Sequence, residues 1–218
     1  MLAKETVDFL KKLDKNNDRD WFNANKDAFV RANDNIIAVT GDLINRISKF
    51  DPEISGIDPK SCIFRIYRDV RFSKDKSPYK TNLGAFIAAG GRKTMSPGYY
   101  FHVQPRMYFS AAGKHMPDAS ELLRIRTHIA ENTKDLLKIV EGKRFRDRFG
   151  EFHGDRLTRP PKGFDAGHPA IEYLKLKSFT VGEEFTEKEA LSKDYPRILA
   201  ESFKAAYPLV RYLRDALK

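Results

Sequence analysis

The sequence predicts an α+β protein in which a central antiparallel sheet is flanked by N-terminal and C-terminal helices. Apolar residues follow a helical period in residues 5–50 and again after Pro117, whereas residues 61–116 alternate with a period of two. The connections between the predicted strands are short, which favours antiparallel pairing over β-α-β units. Helices on both sides of such a segment define the class.

We expect one domain over residues 1–218. It divides into a helical part (1–58), a sheet and basic segment (60–117), and a helical part with one late strand (118–218). The chain has 218 residues, of which 41% are hydrophobic. This composition provides enough apolar material for a sizeable core and argues against disorder.

The N-terminal part is predicted to be helical throughout. Val7, Leu10 and Leu13 form one apolar stripe that ends at Asn16-Asn17-Asp18, where capping residues break the helix. A second helix runs from Trp21 through Phe29, and a further stripe continues to Phe50. Residues 51–59 are predicted to be a loop because of their Pro and Gly content.

The middle of the chain is predicted to form strands. Cys62, Phe64 and Ile66 alternate with Ile63, Arg65 and Tyr67, which predicts a first strand over 62–67. Further strands are predicted at 82–89, 99–103 and 107–111, the last two as a hairpin turned at 104–106, and a possible fifth strand at 176–181.

Helices return after Pro117. Apolar residues from Leu122 to Val140 mark one long helix or a broken pair, and a short helix is expected around 169–174. Two C-terminal helices begin near Thr186 and Tyr195.

Several function classes are disfavoured. No segment approaches the roughly 18 uncharged apolar residues of a transmembrane span, and the N-terminus lacks the apolar run of a secretory signal. Cys62 is the single cysteine, so no internal disulfide can form, and we read it as a core residue. The histidines match no ligand spacing, so we predict no metal site and no cofactor. We expect a cytoplasmic protein without a membrane partner, and the oligomeric state stays open.

The positive charge is confined to one segment. The net charge is +10, and residues 60–117 hold eleven Lys and Arg against only Asp69 and Asp75. Clustered like charge is repulsive unless something offsets it, so this distribution favours an anionic partner. A solvated basic face that aids solubility is the plainer alternative.

The longest distinctive motif lies within this segment, from Ile63 to Thr81. Polar groups are also dense at Ser96–His102, at Ala112–Pro117, at Arg159–Phe164, and at His168-Pro169 with Glu172 and Lys175. Together with the N-terminal helix, these segments resemble a family of conserved hypothetical proteins, domain of unknown function 2461. The resemblance runs from Phe9 to Phe179. It implies a continuous fold and brings no activity.

Alternation within the strands predicts a polar sheet face. Arg65 and Tyr67 share one side of the first predicted strand, and Tyr100, His102 and Gln104 share one side of a later strand. We expect the loop from Arg68 to Lys80 to hang over the edge of this face, and helices to cover the other.

The first functional hypothesis is a binding module for a phosphate-bearing ligand or nucleic acid in a basic groove on this sheet. Guanidinium groups bind phosphate through paired hydrogen bonds, and tyrosines pack against a ligand body. The predicted phosphate ligands are Arg65, Arg68, Arg71, Lys74, Lys76 and Lys80, and the predicted ligand-packing residues are Tyr67, Tyr100 and Tyr108.

Three alternatives stay open. The protein could be an enzyme for an anionic substrate, with His102 as acid or base and Glu172 orienting or assisting. It could be an interaction module for an acidic protein. The basic motif could also be structural, with Arg65, Arg68 and Asp69 in an ion-pair network and Asp75 paired with Lys76, Lys80 or Arg71.

Overall fold

The computed structural model describes all 218 residues and confirms the α+β class, with ten α-helices and one four-stranded antiparallel sheet. The helices are α1 (Lys4–Lys15), α2 (Arg19–Ala24), α3 (Lys26–Ile47), α4 (Pro59–Cys62), α5 (Ala119–Glu131), α6 (Thr133–Val140), α7 (Lys143–Phe149), α8 (Ile171–Leu174), α9 (Glu187–Ala190) and α10 (Tyr195–Asp215). The strands are β1 (Leu83–Ile87), β2 (Gly98–Gln104), β3 (Met107–Lys114) and β4 (Phe179–Phe185). No helix combines the length and the apolar composition that crossing a membrane requires.

The sheet has the order β1-β2-β3-β4, so every strand pairs with its neighbour in sequence. The β2–β3 hairpin was predicted correctly. Its turn places Pro105 first and Arg106 second, and Arg106 has a positive φ of 70°. Proline fits the first central position of such a turn, since its fixed φ suits that corner.

One face of the sheet is covered by helices. Tyr99, Phe101 and Val103 are fully buried there, and the Tyr99 ring lies 5.2 Å from the ring of Phe203 in α10. Ser110 in β3 hydrogen-bonds Ser202 in α10 across the same layer, with 2.9 Å between the hydroxyl oxygens. The core formed by this packing is one cluster of 48 buried residues.

A buried polar network ties the C-terminal helix to the sheet. The Asp51 carboxylate accepts hydrogen bonds from the Tyr99 hydroxyl (2.7 Å) and from Nη1 of Arg214 (2.9 Å). Nε of Arg214 donates to the carbonyl of Pro97 (3.0 Å). Each charge is buried beside its partner, which is the arrangement that makes burial of an ion pair tolerable.

The opposite side of the sheet, which we call the open face, carries partly exposed side chains. Cross-strand register places Phe86 beside Tyr100, His102 beside Phe109, and Gln104 beside Met107 on this face. Phe86, Tyr100, Gln104 and Phe109 are half-buried, in contrast to the buried residues on the covered face.

The first predicted strand, 62–67, is wrong. Asp58 caps a short helix that starts at Pro59 and ends at Cys62, and proline is favoured at that first helical position. The extended residues that follow make only single bridges, Ile63 with Ala85 and Tyr67 with Tyr79. The sheet consequently has four strands instead of five.

The remaining elements match their predictions with shifted bounds. The break expected after Phe29 falls earlier, at Asn25, and the stripe from Leu122 to Val140 is the broken pair α5 and α6. The possible late strand begins at Phe179 instead of Leu176. Helix α7 was not predicted.

Candidate functional site

The basic loop, residues 68–80, is closed at its base by backbone hydrogen bonds. The amide of Arg68 donates to the carbonyl of Pro78 (2.9 Å), and the amide of Lys80 donates to the carbonyl of Ile66 (2.8 Å). Tyr67 and Tyr79 form the bridge between these bonds. The ends of the loop are therefore held together as in a hairpin.

The turn between α1 and α2 fixes the returning end of the loop. The side-chain amide of Asn17 donates to the carbonyl of Tyr79 (2.9 Å) and accepts from its backbone N–H (3.1 Å). The Tyr79 ring stacks on Phe22, with 3.9 Å between the ring centroids. These contacts place Lys80 at the margin of the sheet.

Two of the six predicted phosphate ligands are paired with carboxylates inside the loop. Arg68 binds Asp75, and Arg71 donates two hydrogen bonds to Asp69, at 2.9 and 2.6 Å. Hydrogen bonds from Ser77 and then from Arg68 lower the pKa of Asp75 to about 2. The structural alternative therefore holds for Arg68 and Arg71, but with other partners than expected, because Asp75 takes Arg68 and Asp69 takes Arg71.

Lys74 and Lys76 are exposed on the outer part of the loop. Nζ of Lys76 donates to the carbonyl of Val70 (3.0 Å), and neither lysine has a carboxylate within 4 Å. Both ammonium groups are thus available to an external anion.

The other two predicted ligands belong to a cluster at the base of the loop. Lys80 and Arg92 lie over the ring of Phe64, and Arg65 is close enough to Lys80 for its charge to lower the pKa of that lysine. We call these three residues the cationic cluster. Nζ of Lys80 lies 5.7 Å from the centre of the Phe64 ring, and the guanidinium carbon of Arg92 lies 5.1 Å from it. None of the three cations has a carboxylate within 4 Å.

Burial and repulsion between cations act together on Lys80, which is half-buried, whereas Arg65 is exposed. Burial lowers the pKa of Lys80, and the charges of Arg65 and Arg92 lower it further. Nε of Arg92 is buried without a hydrogen-bond partner. The Asp69 carboxylate has Arg71 as its main partner, and the charge of Arg65 stabilises it more weakly. Asp14 and Asp75 line the cleft that Lys80 also borders, but no cation of the cluster forms an ion pair within 4 Å.

Sequence reasoning did not single out Arg92. Gly90 and Gly91 both adopt positive φ, and the chain turns there into a short 3₁₀ helix, Arg92–Thr94. A side chain at Gly91 would lie 2.9 Å from the Ser61 hydroxyl, so glycine permits the close approach to α4. The Gly90-Gly91 pair directly before Arg92 was the sequence signal for a tight turn that brings this arginine back towards α4.

Tyr100, His102 and Gln104 share the open face, as predicted, and form a hydrogen-bonded row. The Tyr100 hydroxyl lies 2.8 Å from Nδ1 of His102, and Nε2 of His102 lies 3.1 Å from Oε1 of Gln104. Since Oε1 can only accept, Nε2 carries the proton and Nδ1 accepts from the hydroxyl. The Phe64 ring meets Tyr100 edge-on at 5.9 Å, which joins this row to the cationic cluster.

The row is poorly arranged for proton transfer to a ligand. His102 is 9% exposed, and burial lowers its pKa. Burial raises the pKa of Tyr100 to about 12. Both ring nitrogens of His102 are occupied, so the enzyme alternative gains no support from this geometry and stays a prediction.

The structure separates two other predicted site residues from this face. Tyr108 was expected to pack against a ligand beside Tyr100, but it pairs with Val103 on the covered face and is 2% exposed. That expectation is wrong, because Tyr108 is next to Phe109, the register partner of His102, and neighbouring residues of a strand point to opposite faces of the sheet. Glu172 binds Lys175 at 2.7 Å, and neither ring nitrogen of His102 contacts it.

Two clefts border the basic loop. A cavity of about 330 Å³ is lined by Lys80 and Arg68 together with Asp14 and Asp75. A shallower one of about 440 Å³ lies beside Lys76 and Arg19. The first cleft is lined by both cations and carboxylates. It is therefore less uniformly cationic than the basic groove that the sequence predicted.

No group of three or more His, Cys, Asp or Glu side chains is placed to hold a metal ion. Cys62 is buried, and burial raises the pKa of its thiol. Burial and a raised pKa both disfavour a nucleophilic role, since the thiolate is the reactive form.

The fold and the site together define an α+β protein with a cationic cluster beside the open face of its sheet. No cation of this cluster has a carboxylate within 4 Å. A family model described as conserved hypothetical protein (DUF2461) matches residues 5–212, and the chain belongs to this family. No curated protein and no solved structure matches it.

Proposed function

We propose that the protein binds a phosphate-bearing ligand at the cationic cluster formed by Arg65, Lys80 and Arg92. The observation that carries this proposal is the absence of any carboxylate within 4 Å of the three cations, although Lys80 is partly withdrawn from water. Grouped cations without counter-charge raise the free energy of the folded state, and a bound anion lowers it.

The chemistry of the cluster suits phosphate. Each guanidinium presents several N–H donors in a plane that matches two phosphate oxygens, and the Lys80 ammonium adds a point charge. The Nε of Arg92 is buried without a partner within the protein, so the donors that this guanidinium can offer to a ligand are those on its two terminal nitrogens. Partial burial strengthens each interaction, because the local dielectric is lower than that of water.

The open face provides a surface for the remainder of the ligand. Phe64 and Tyr100 connect the cluster to the row that ends at Gln104, whose side-chain amide N–H groups have no partner in the protein. A ligand with a phosphate on the cluster can therefore extend over aromatic edges and reach a hydrogen-bond donor.

Calorimetric titration with inorganic phosphate and pyrophosphate tests the proposal. We expect binding to the unmodified protein and at least a roughly ten-fold loss in Lys80→Met and in Arg92→Met, since a charge-assisted hydrogen bond contributes about 1.5–3 kcal/mol. Lys204→Met is the matched control, because this exposed lysine of α10 is removed from the basic segment.

The proposal fails if neither probe binds the unmodified protein, or if both cluster variants bind as tightly as the control. Thermal unfolding of each variant identifies a loss of binding that is due to misfolding. Binding of an acidic polypeptide without binding of phosphate or pyrophosphate would support the interaction alternative.

A further inference from the structure

Phe72 stands at the outer end of the basic loop and is 96% exposed. The guanidinium carbon of Arg71 lies 5.8 Å from the centre of its ring. Lys74 and Lys76 follow within four residues and are also exposed. A ring that is 96% exposed contributes little to the core, and its exposed face is free for contact with an external partner.

The loop presents this ring on an anchored base. Backbone bonds between Arg68 and Pro78, and the clamp of Asn17 on Tyr79, close the loop below Phe72. Arg71 is in turn fixed by its two hydrogen bonds to Asp69. The ring therefore projects from a loop whose two ends are fixed.

The basic loop and the cationic cluster are linked through Asp69. Arg71, next to Phe72, donates to the Asp69 carboxylate, which the charge of Arg65 also stabilises. Arg65 belongs to the cluster. The loop therefore carries Lys74 and Lys76, which have no carboxylate partner, in addition to the cations of the cluster, and this set suits a ligand that carries several phosphates in succession.

We propose that this surface binds single-stranded nucleic acid, with a base stacked on Phe72 and successive phosphates on the loop cations and the cationic cluster. The proposal rests on the proposed function, because it takes the phosphate at the cluster to be part of a strand. Aromatic stacking is indifferent to base identity, since every base has a π face, and basic grooves follow the backbone.

A single strand fits these observations better than a duplex or a lipid surface. Bases in a duplex are already stacked on each other and leave no face for Phe72. Membrane association scales with the apolar area inserted, and Phe72 is the one large apolar side chain of the loop that is exposed. One ring between Arg71 and Lys74 provides little such area.

Fluorescence anisotropy with a labelled twelve-nucleotide oligothymidine, which does not fold on itself, tests the proposal. We expect Phe72→Ala to lose roughly ten-fold in affinity, in line with about 1–3 kcal/mol for one stacked base, and Phe72→Trp to retain binding. Leu123→Ala, an exposed apolar residue on α5, is the control.

The salt dependence gives a second readout. Each phosphate contact contributes about −0.7 to the slope of log affinity against log salt concentration for single strands. Lys74→Ala removes an exposed cation without an internal partner, so we expect its slope to be shallower by about that amount. The unmodified protein should also bind the oligothymidine more tightly than a duplex of equal length.

The outcomes separate this inference from the proposed function. If Phe72→Ala weakens oligonucleotide binding and leaves inorganic phosphate binding unchanged, both stand. If phosphate binds but the oligonucleotide does not, or Phe72→Ala binds it as the unmodified protein does, the inference is overturned and the phosphate site remains. Binding to phosphatidylserine vesicles without oligonucleotide binding also overturns it, and absence of phosphate binding removes both.

Discussion

The charge of Lys80 destabilises the folded protein and is also the charge that the proposed phosphate site requires. Burial lowers the pKa of its ammonium group from the ordinary 10.5, and Arg65 and Arg92 lower it further. Between that lowered value and 10.5 the unfolded chain holds more protons than the folded one. The free energy of unfolding therefore rises with pH across this range, and at neutral pH the charge of Lys80 destabilises the protein.

Replacing Lys80 with Met should consequently raise the free energy of unfolding at neutral pH when no anion is present. The methionine keeps most of the apolar stem and removes the charge. We expect a gain of about 0.5 kcal/mol, at the low end of stabilising substitutions, because Lys80 is only half-buried. Urea unfolding at several pH values measures it.

The gain should shrink as the pH approaches 10.5, since the unmodified lysine then loses its proton as well. A variant that is less stable than the unmodified protein at pH 7, by an amount that does not change with pH, would show that Lys80 stabilises the fold and would contradict this assignment.

At the scale of elements, the basic loop depends on contacts that are distant in sequence. Asn17 lies 62 residues before Tyr79, yet its side chain satisfies both backbone groups of that residue. The Asn17 side chain thereby replaces the backbone hydrogen bonds that a neighbouring strand would provide. The position of Lys80, the next residue, follows from this clamp.

Asn17→Ala should free the returning end of the loop. Loss of two hydrogen bonds is expected to cost about 1–3 kcal/mol of stability and to speed hydrogen exchange at the amide of Tyr79. Phosphate affinity should fall as well, because Lys80 loses its fixed position. Asn23→Ala on α2 is the control, since its exposed side chain has no internal partner.

Hydrogen exchange measured by mass spectrometry or NMR gives the readout. Unchanged exchange at Tyr79 in Asn17→Ala would mean that the stacking of Tyr79 on Phe22 holds the loop by itself, and that the clamp is dispensable.

The elements also show which parts of the fold can be predicted from sequence. Alternation was sufficient for the β2–β3 hairpin, and the predicted start of α9 near Thr186 is confirmed by a residue that forms a capping box with Glu189. They failed at 62–67, because alternation describes an extended chain whether or not a partner strand exists. Pro59 after Asp58 was the local signal for a helix start, and it was read as loop.

At the scale of the whole molecule, most cations of residues 60–117 lack a carboxylate partner in the structure. Of the eleven Lys and Arg in residues 60–117, only Arg68, Arg71 and Lys114 have a carboxylate within 4 Å. Lys114 is buried against Glu121 and the carbonyl of Met95, so it is a structural residue. Most of the others face solvent or the cationic cluster.

The site could be predicted only in part. Composition located the basic segment and alternation grouped Tyr100 with His102. Which cation pairs with which carboxylate depends on the three-dimensional structure, which neither signal contains. The sequence does not indicate that Asp75 forms its ion pair with Arg68 and not with Lys80. Arg92 joins Lys80 only because the chain folds back at Gly90-Gly91.

The most direct test of a functional cationic cluster is the pKa of Lys80 itself, measured by NMR of its side-chain carbon next to the amine, with Lys80→Met to assign the signal. Without phosphate we expect a pKa below 10.5, and with saturating phosphate a rise, because a bound anion favours the charged amine. A pKa at or above 10.5 in the free protein, or one that saturating phosphate leaves unchanged, would contradict the account.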